Sequence, residues 1–115
     1  MTKPQHNELR REIIAACRKM TELGINQGTS GNVSARVPGG LLVTPSGIPY
    51  DRMVLEDIVA LDDDGNYEGR RLPSTEWRFH YDIMRHRPEV GAIVHNHALH
   101  CTVLACLRIE IPAFH

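Results

Sequence analysis

The pattern of apolar and polar positions predicts two amphipathic helices. The first covers about residues 6–23 and ends before Gly24, and the second begins within residues 73–76 and reaches about residue 87. Ser74 suits the N-cap of the second helix, and Pro88 closes it. The apolar positions that share a face are Leu9, Ile13, Ala16, Cys17 and Met20 in the first helix and Trp77, Tyr81 and Met84 in the second.

Alternating and short apolar runs predict strands in the rest of the chain. Residues 33–37 and 41–44 flank a Pro-Gly-Gly turn and are typical of a β-hairpin. Residues 58–61 form a third apolar run, which an acidic, glycine-containing turn ends. Residues 90–97 indicate a buried strand, and residues 98–107 a further helix. We find no repeat or linker, so the chain is expected to belong to a single domain.

His95 and His97 are the first candidate site residues. Side chains two apart on a strand point to the same face, so both imidazoles could bind one metal ion. The alternative is two unrelated histidines, and the spacing alone leaves the choice about even. The buried strand favours the metal, because buried imidazoles need partners. His100 or His115 could be a third ligand, although such histidines are more often incidental.

Glu76 is the candidate acid/base residue beside that metal. A carboxylate in the first turn of a helix is also explained by its favourable interaction with the helix dipole. The position alone therefore does not decide between a structural and a catalytic role. His80, four residues later, could face the same region, whereas His6 and His86 are expected to be exposed.

Three polar loops could each bind an anion. Residues 28–32 are rich in glycine, residues 44–47 combine hydroxyls with a glycine, and Ser74 and Thr75 precede a helix N-terminus. Each is also explained as an ordinary turn or cap. The glycine loop matches neither the P-loop nor the dinucleotide-binding pattern, so a phosphate bound here would belong to a small substrate.

Composition narrows the class of protein without indicating its chemistry. The formal net charge is -1, which gives no reason to expect nucleic acid or anionic lipid as a partner. No apolar run approaches the length of a membrane span, and the first residues do not resemble a secretion signal. Three cysteines without metal-ribbon spacing suit reduced thiols. We therefore expect a cytoplasmic protein with no membrane or nucleic-acid partner.

Four segments together resemble the class II aldolase/adducin family. They are GINQGTSGNVS at 24–34, TPSGIPY at 44–50, LPSTEWRFH at 72–80 and VHNHALHCT at 94–102. They occur in the order expected for the family and cover most of the chain, which is far more specific than any one of them.

The resemblance implies an α/β fold of three layers, α/β/α, with a central, mostly antiparallel sheet. It implies one Zn²⁺ per subunit, bound by His95, His97 and Glu76, and a homotetramer. Glu76 is then also the catalytic residue that moves a proton. The positions that match the phosphate-binding residues of the family are Gly31, Asn32, Ser46, Gly47, Ser74 and Thr75.

The implied activity is cleavage of L-fuculose 1-phosphate, or a similar ketose 1-phosphate, to dihydroxyacetone phosphate and an aldehyde through a metal-stabilised enediolate. Within the family, a ribulose-phosphate 4-epimerase or another sugar-phosphate lyase or dehydratase is the alternative. A non-catalytic, adducin-like interaction module is the alternative of another class. The resemblance implies a protein roughly twice as long as these 115 residues, well above the ~100–150 residues of a typical single domain. Residues 1–115 are therefore expected to be the N-terminal part of one domain, with a third histidine ligand and a tyrosine acid beyond residue 115.

Overall fold

A five-stranded sheet forms the centre of the fold in the computed structural model, which describes residues 5–113. Its spatial order is β4-β3-β2-β1-β5, and all neighbouring strands pair antiparallel. The strands are β1 (Asn32–Val37), β2 (Gly40–Val43), β3 (Val59–Asp62), β4 (Tyr67–Glu68) and β5 (Ala92–His95). The helices are α1 (Asn7–Glu22), α2 (Trp77–His86) and α3 (Leu99–Cys106), and two 3-10 turns cover Tyr50–Arg52 and Leu55–Asp57.

Helices α1 and α2 cover opposite faces of the sheet. Successive side chains of a strand point to opposite faces, so Leu42 packs in the cluster with α1, whereas Leu41 and Val43 pack in the cluster with α2. In β1, the apolar residues Val33 and Ala35 join the α1 cluster. This arrangement confirms the predicted three-layer α/β fold with an antiparallel sheet.

The predicted helices are present, but α2 begins later than predicted. Ser74 was expected at the N-cap, but the helix begins at Trp77 and Glu76 occupies the N-cap position. The N–H of Trp77 donates to the carbonyl of Ser74 (3.0 Å), and the N–H of Glu76 donates to the Ser74 hydroxyl (3.2 Å). Ser74 therefore stabilises a turn that precedes the helix. Glu76 lies just before the first helical turn, not within it.

The prediction that residues 90–97 form a buried strand is wrong for the residues described. Strand β5 pairs with β1 at one edge of the sheet, and only Ile93 packs into the cluster with α2. Val94, which points to the other face, is 55% exposed. An apolar sequence does not distinguish a covered strand from an uncovered one, because the difference depends on which elements pack beside it.

Asp57 is a buried carboxylate beside two arginines. It is 1% exposed, and its Oδ1 accepts hydrogen bonds from Arg70 (2.8 Å) and Arg71 (3.1 Å). Burial alone would raise the pKa of Asp57, but the hydrogen bond from the Val54 N–H and the two guanidinium groups outweigh it and lower the pKa.

We expect Asp57→Ala to lower the free energy of unfolding by about 2 kcal/mol at neutral pH, because it removes the acceptor of the Val54 N–H and the partner of two half-exposed guanidinium groups. A depressed folded pKa means that the carboxylate stabilises the fold above its unfolded pKa, and that this is lost as the pH falls through the folded pKa. The difference in free energy of unfolding between the wild-type protein and Asp57→Ala should therefore shrink in acid.

Urea denaturation over a pH series measures this difference. Glu89→Ala is the matched control, since the Glu89–Arg87 pair is exposed and should contribute at most about 1 kcal/mol. An equal loss in both variants would contradict the structural role of Asp57.

Candidate metal and phosphate site

Three potential metal donors converge near the end of β5. Glu76, His95 and His97 each offer one ligand atom, and these atoms lie within 4.8 Å of one another. Glu76 comes from the start of α2, His95 is the last residue of β5, and His97 lies in the connection to α3. One carboxylate and two imidazoles are a donor set that suits zinc in a catalytic site. The residues present therefore fit a divalent transition metal.

The structure corrects two premises of the prediction for this pair. His97 lies beyond the strand, in the connection to α3, so strand alternation does not by itself explain why the two side chains converge. The side chain of His95 is 33% exposed and His97 is exposed. Neither imidazole is buried, so the expectation that buried imidazoles need partners does not hold for this pair. Their ring centroids are 4.9 Å apart.

The three predicted anion loops meet in one cavity of about 330 Å³. The cavity therefore brings together residues that are distant in sequence. It also includes two of the metal donors. Its lining comprises Thr29, Ser30, Gly31, Asn32, Pro45, Ser46, Gly47, Ser74, Thr75, Glu76 and His97.

Backbone N–H groups give this cavity the character of an anion site. Within residues 5–113, the N–H groups of Gly31, Gly47 and Thr75 donate no hydrogen bond. Those of Ser46 and Ser74 are already used, because they donate to Leu72 (3.0 Å) and Thr44 (2.9 Å). The two serines can therefore contribute only hydroxyls, whereas the other three residues can contribute N–H groups.

Asn32 connects the donors to the interior of the protein. It is 2% exposed, its Nδ2 donates to Glu76 Oε1 (3.0 Å), and its Oδ1 lies 3.1 Å from His95 Nδ1 and 2.5 Å from His80 Nε2. His80 Nδ1 lies 2.6 Å from the hydroxyl of Ser34. Burial, and to a smaller extent His95, lower the pKa of His80 to about 4, although Glu76 acts against this.

Sequence reasoning placed His80 in this region but missed Ser34 altogether. It also assigned Asn32 to phosphate, whereas the amide of its side chain is already bonded to three other residues. The period-2 pattern of β1 could have found Ser34, since Asn32 and Ser34 must share a face of the sheet. Nothing in the sequence indicates that this face meets His80.

The other histidines do not join the three donors. His100 is exposed on α3, and His6 and His86 are exposed, as predicted. His115 lies outside the described residues. A larger groove of about 660 Å³ lies between α1 and the 3-10 turns, but its lining contains none of the predicted site residues.

A second buried amide positions His97. Asn26 Oδ1 accepts the N–H of His97 (3.1 Å), and Asn26 Nδ2 donates to the hydroxyl of Tyr50 (3.3 Å). The same hydroxyl donates to the carbonyl of Gly31 (2.6 Å). A Cβ at Gly31 would lie 2.6 Å from Asn26 Nδ2, so only glycine allows this approach.

We expect Gly31→Ala in the full-length protein to weaken metal binding about tenfold, because Asn26 must move and its bond to the His97 N–H is disturbed. Zinc affinity by competition with a chelator measures the effect. Gly91→Ala is the control, since a Cβ there meets nothing within 4 Å. Equal affinities of the two variants would show that the contact between Gly31 and Asn26 does not support the site.

Comparison with known proteins decides the family. The family described as "Class II Aldolase and Adducin N-terminal domain" matches residues 11–115. The chain belongs to this family. The predicted resemblance is thereby confirmed, and with it the assignment of the four sequence segments to class II aldolases.

Individual relatives agree with this membership. The chain is 50% identical over 111 residues to L-fuculose phosphate aldolase of Escherichia coli K12, covering 96% of this chain and 52% of the relative. It is 54% identical over 107 residues to 5-methylthioribulose-1-phosphate/5-deoxyribulose-1-phosphate aldolase of Rhodospirillum rubrum, covering 93% and 48%. A solved L-fuculose 1-phosphate aldolase matches with a TM-score of 0.88 and 40% identity over 94% of this chain and 52% of that one. The chain spans about half the length of these relatives.

Proposed function

We propose that the full-length protein is a class II, metal-dependent aldolase that cleaves a ketose 1-phosphate to dihydroxyacetone phosphate and an aldehyde. One observation carries the proposal: a single cavity contains the anion loops together with two of the three metal donors. A phosphate bound by the loops would place the rest of a small sugar next to those donors. Family membership supports the reaction class.

We assign the metal to Glu76, His95 and His97, with Zn²⁺ as the expected ion, one per subunit, and a third histidine beyond residue 115. When bound, such an ion supplies Lewis-acid stabilisation of negative charge on substrate oxygens. Glu76 both reaches the donor set and lines the cavity. It is therefore placed to accept and return a proton at the carbon beside the substrate carbonyl.

The phosphate group is assigned to Gly31, Asn32, Ser46, Gly47, Ser74 and Thr75. The N–H groups of Gly31, Gly47 and Thr75 and the serine hydroxyls can orient the group and supply binding energy away from the reacting carbons. Asn32 lines this cradle, but its side-chain amide is bonded to Glu76, His80 and His95 and its backbone pairs with His95 in the sheet. The other five residues therefore supply the contacts to the phosphate.

The preferred substrate is L-fuculose 1-phosphate, and 5-deoxyribulose 1-phosphate is the second candidate. The two relatives that carry these names are similarly close to the chain, at 50% and 54% identity. Both substrates share the half that the cavity would bind, so the described residues favour a ketose 1-phosphate without selecting the aldehyde half.

A substrate panel tests the proposed reaction. The full-length, metal-replete protein should release dihydroxyacetone phosphate from one of the two ketose 1-phosphates. Interconversion of ribulose 5-phosphate and xylulose 5-phosphate without release would instead identify an epimerase. Absence of both reactions together with absence of bound metal would identify a non-catalytic, adducin-like module.

We further propose that residues 1–115 form the N-terminal part of one domain of a cytoplasmic homotetramer. The outer face of β5, helix α3 and the residues that follow it expose many large apolar side chains, which a longer chain or a neighbouring subunit would cover. The relatives' greater length supports this view. The exposed residues are Val94, Leu99, Val103, Leu107, Ile109 and Ile111. Separately, no described helix is long and apolar enough to cross a membrane.

A further inference from the structure

His80 is a fully buried histidine that the proposed reaction does not use. It lies on α2 with no exposed surface, and it contacts the amide of Asn32 on one side and the hydroxyl of Ser34 on the other. Asn32 also contacts Glu76 and His95, so it links His80 to two of the metal donors. A buried imidazole bonded at both nitrogens has a defined pattern of donors and acceptors.

Glu76 determines the orientation of the Asn32 amide. An ionised carboxylate only accepts hydrogen bonds, so the NH₂ group of Asn32 must face Glu76 Oε1, at 3.0 Å. The carbonyl oxygen of the same amide then faces both His80 Nε2 and His95 Nδ1. The reverse orientation would place this oxygen against the carboxylate, which is unfavourable.

The orientation of this amide determines where the protons of both imidazoles lie. Asn32 Oδ1 can only accept, so His80 Nε2 and His95 Nδ1 must each carry a hydrogen. Because His80 is neutral, its Nδ1 keeps a lone pair, which accepts the hydroxyl proton of Ser34 at 2.6 Å. His95 likewise keeps its lone pair on Nε2, and this is the form in which an imidazole binds a metal.

We propose that Ser34, His80 and Asn32 are positioning residues that hold His95 as the Nδ1–H tautomer before the metal binds. The proposal rests on the proposed metal-dependent function. Glu76 and the Nε2–H group of His80 face opposite ends of the Asn32 amide and together fix its orientation, while Ser34 donates to the other nitrogen of His80. Asn32 Oδ1 then accepts from His95 Nδ1, which also lies 3.4 Å from Glu76 Oε1. Two of the three donors are thereby oriented from one buried chain of hydrogen bonds.

The tautomers can be measured directly by nitrogen NMR of the full-length, metal-free protein with ¹⁵N-labelled histidine, at about pH 8.5, above the ordinary imidazole pKa. We expect the Nε2–H tautomer for His80 and the Nδ1–H tautomer for His95. In His80→Ala, we expect the Nδ1–H tautomer of His95 to be populated less completely, because only Glu76 then orients the Asn32 amide. Zinc affinity, by competition with a chelator, should fall about 10- to 100-fold in this variant.

Milder variants keep the test valid if His80→Ala does not fold. Ser34→Ala should weaken zinc about two- to tenfold, and His80→Gln should restore part of the affinity, since its amide can donate to Asn32. Thr44→Val is the matched control. It removes a hydroxyl that is equally buried and accepts the Val33 N–H (3.2 Å), but lies outside the chain of hydrogen bonds.

The outcomes separate this proposal from the proposed function. An Nε2–H tautomer for His95 in the wild-type protein would overturn the proposal, and so would zinc affinities of the Ser34 and His80 variants equal to that of Thr44→Val. A wild-type protein that binds no zinc would instead refute the metal-dependent function, while the NMR spectrum of the metal-free protein would still decide the tautomers.

Discussion

Replacing Glu76 by glutamine is expected to lower kcat by about 10²- to 10⁴-fold, the range typical for loss of a general acid/base. In the wild-type protein, Asn32 Nδ2 donates to Glu76 Oε1 at 3.0 Å. Glutamine has the same shape and keeps an oxygen that can accept this hydrogen bond. It cannot accept a proton from a substrate carbon. The site should therefore keep its geometry and its zinc, with weaker affinity, while it loses proton transfer.

Steady-state kinetics with a ketose 1-phosphate, combined with zinc analysis of the same sample, measures this effect. Glu89→Gln is the control, because Glu89 is an exposed carboxylate that pairs with Arg87, away from the donor set. A Glu76→Gln protein with normal kcat would remove Glu76 from proton transfer. Complete loss of zinc from Glu76→Gln would show that Glu76 is needed to hold the metal, and its acid/base role would then have no support.

The second large effect is expected from His97→Ala, which removes one of the two imidazoles of the donor set. The loss of a direct ligand should weaken zinc at least about 100-fold, beyond the 10- to 100-fold typical of residues that only support a ligand. Activity should fall with the loss of zinc. The backbone N–H of His97 still bonds to Asn26, so the local fold should persist.

Zinc retained after dialysis against a chelator, with circular dichroism to monitor folding, measures this prediction. His100→Ala is the matched control, since His100 lies three residues further along, is exposed and does not join the donors. If the two variants retain equal zinc, His97 is not a ligand. Full activity restored by excess zinc in His97→Ala would show that the remaining ligands suffice.

The sequence predicts the elements of this fold well, because their signals are local. The helical spacing of Leu9, Ile13 and Cys17 and the alternation in residues 33–37 each depend on a few neighbouring residues. The spacing of His95 and His97 also made them candidate ligands, although the spacing alone left the choice about even. The start of α2 was misplaced, since the choice between Ser74 and Glu76 as the N-cap depends on one backbone hydrogen bond.

The rest of the site is non-local and could not be derived from spacing. Asn32 and His80 are 48 residues apart, and Asn26 and His97 are 71 apart. Their contacts exist only because β1, α2 and β5 meet at one end of the sheet. The family resemblance named Asn32 as a phosphate residue, but it could not show that its side chain orients Glu76 and His95.

Solvent deuterium exchange into dihydroxyacetone phosphate tests the central claim most directly, because it needs only the phosphate cradle, the metal and the proton-transfer residue. The full-length protein should catalyse exchange at one hydroxymethyl position without any aldehyde present. This exchange should stop when a chelator removes the metal and return when zinc is added. Exchange that is absent from the metal-replete protein, or that persists unchanged after the metal is removed, would contradict the account.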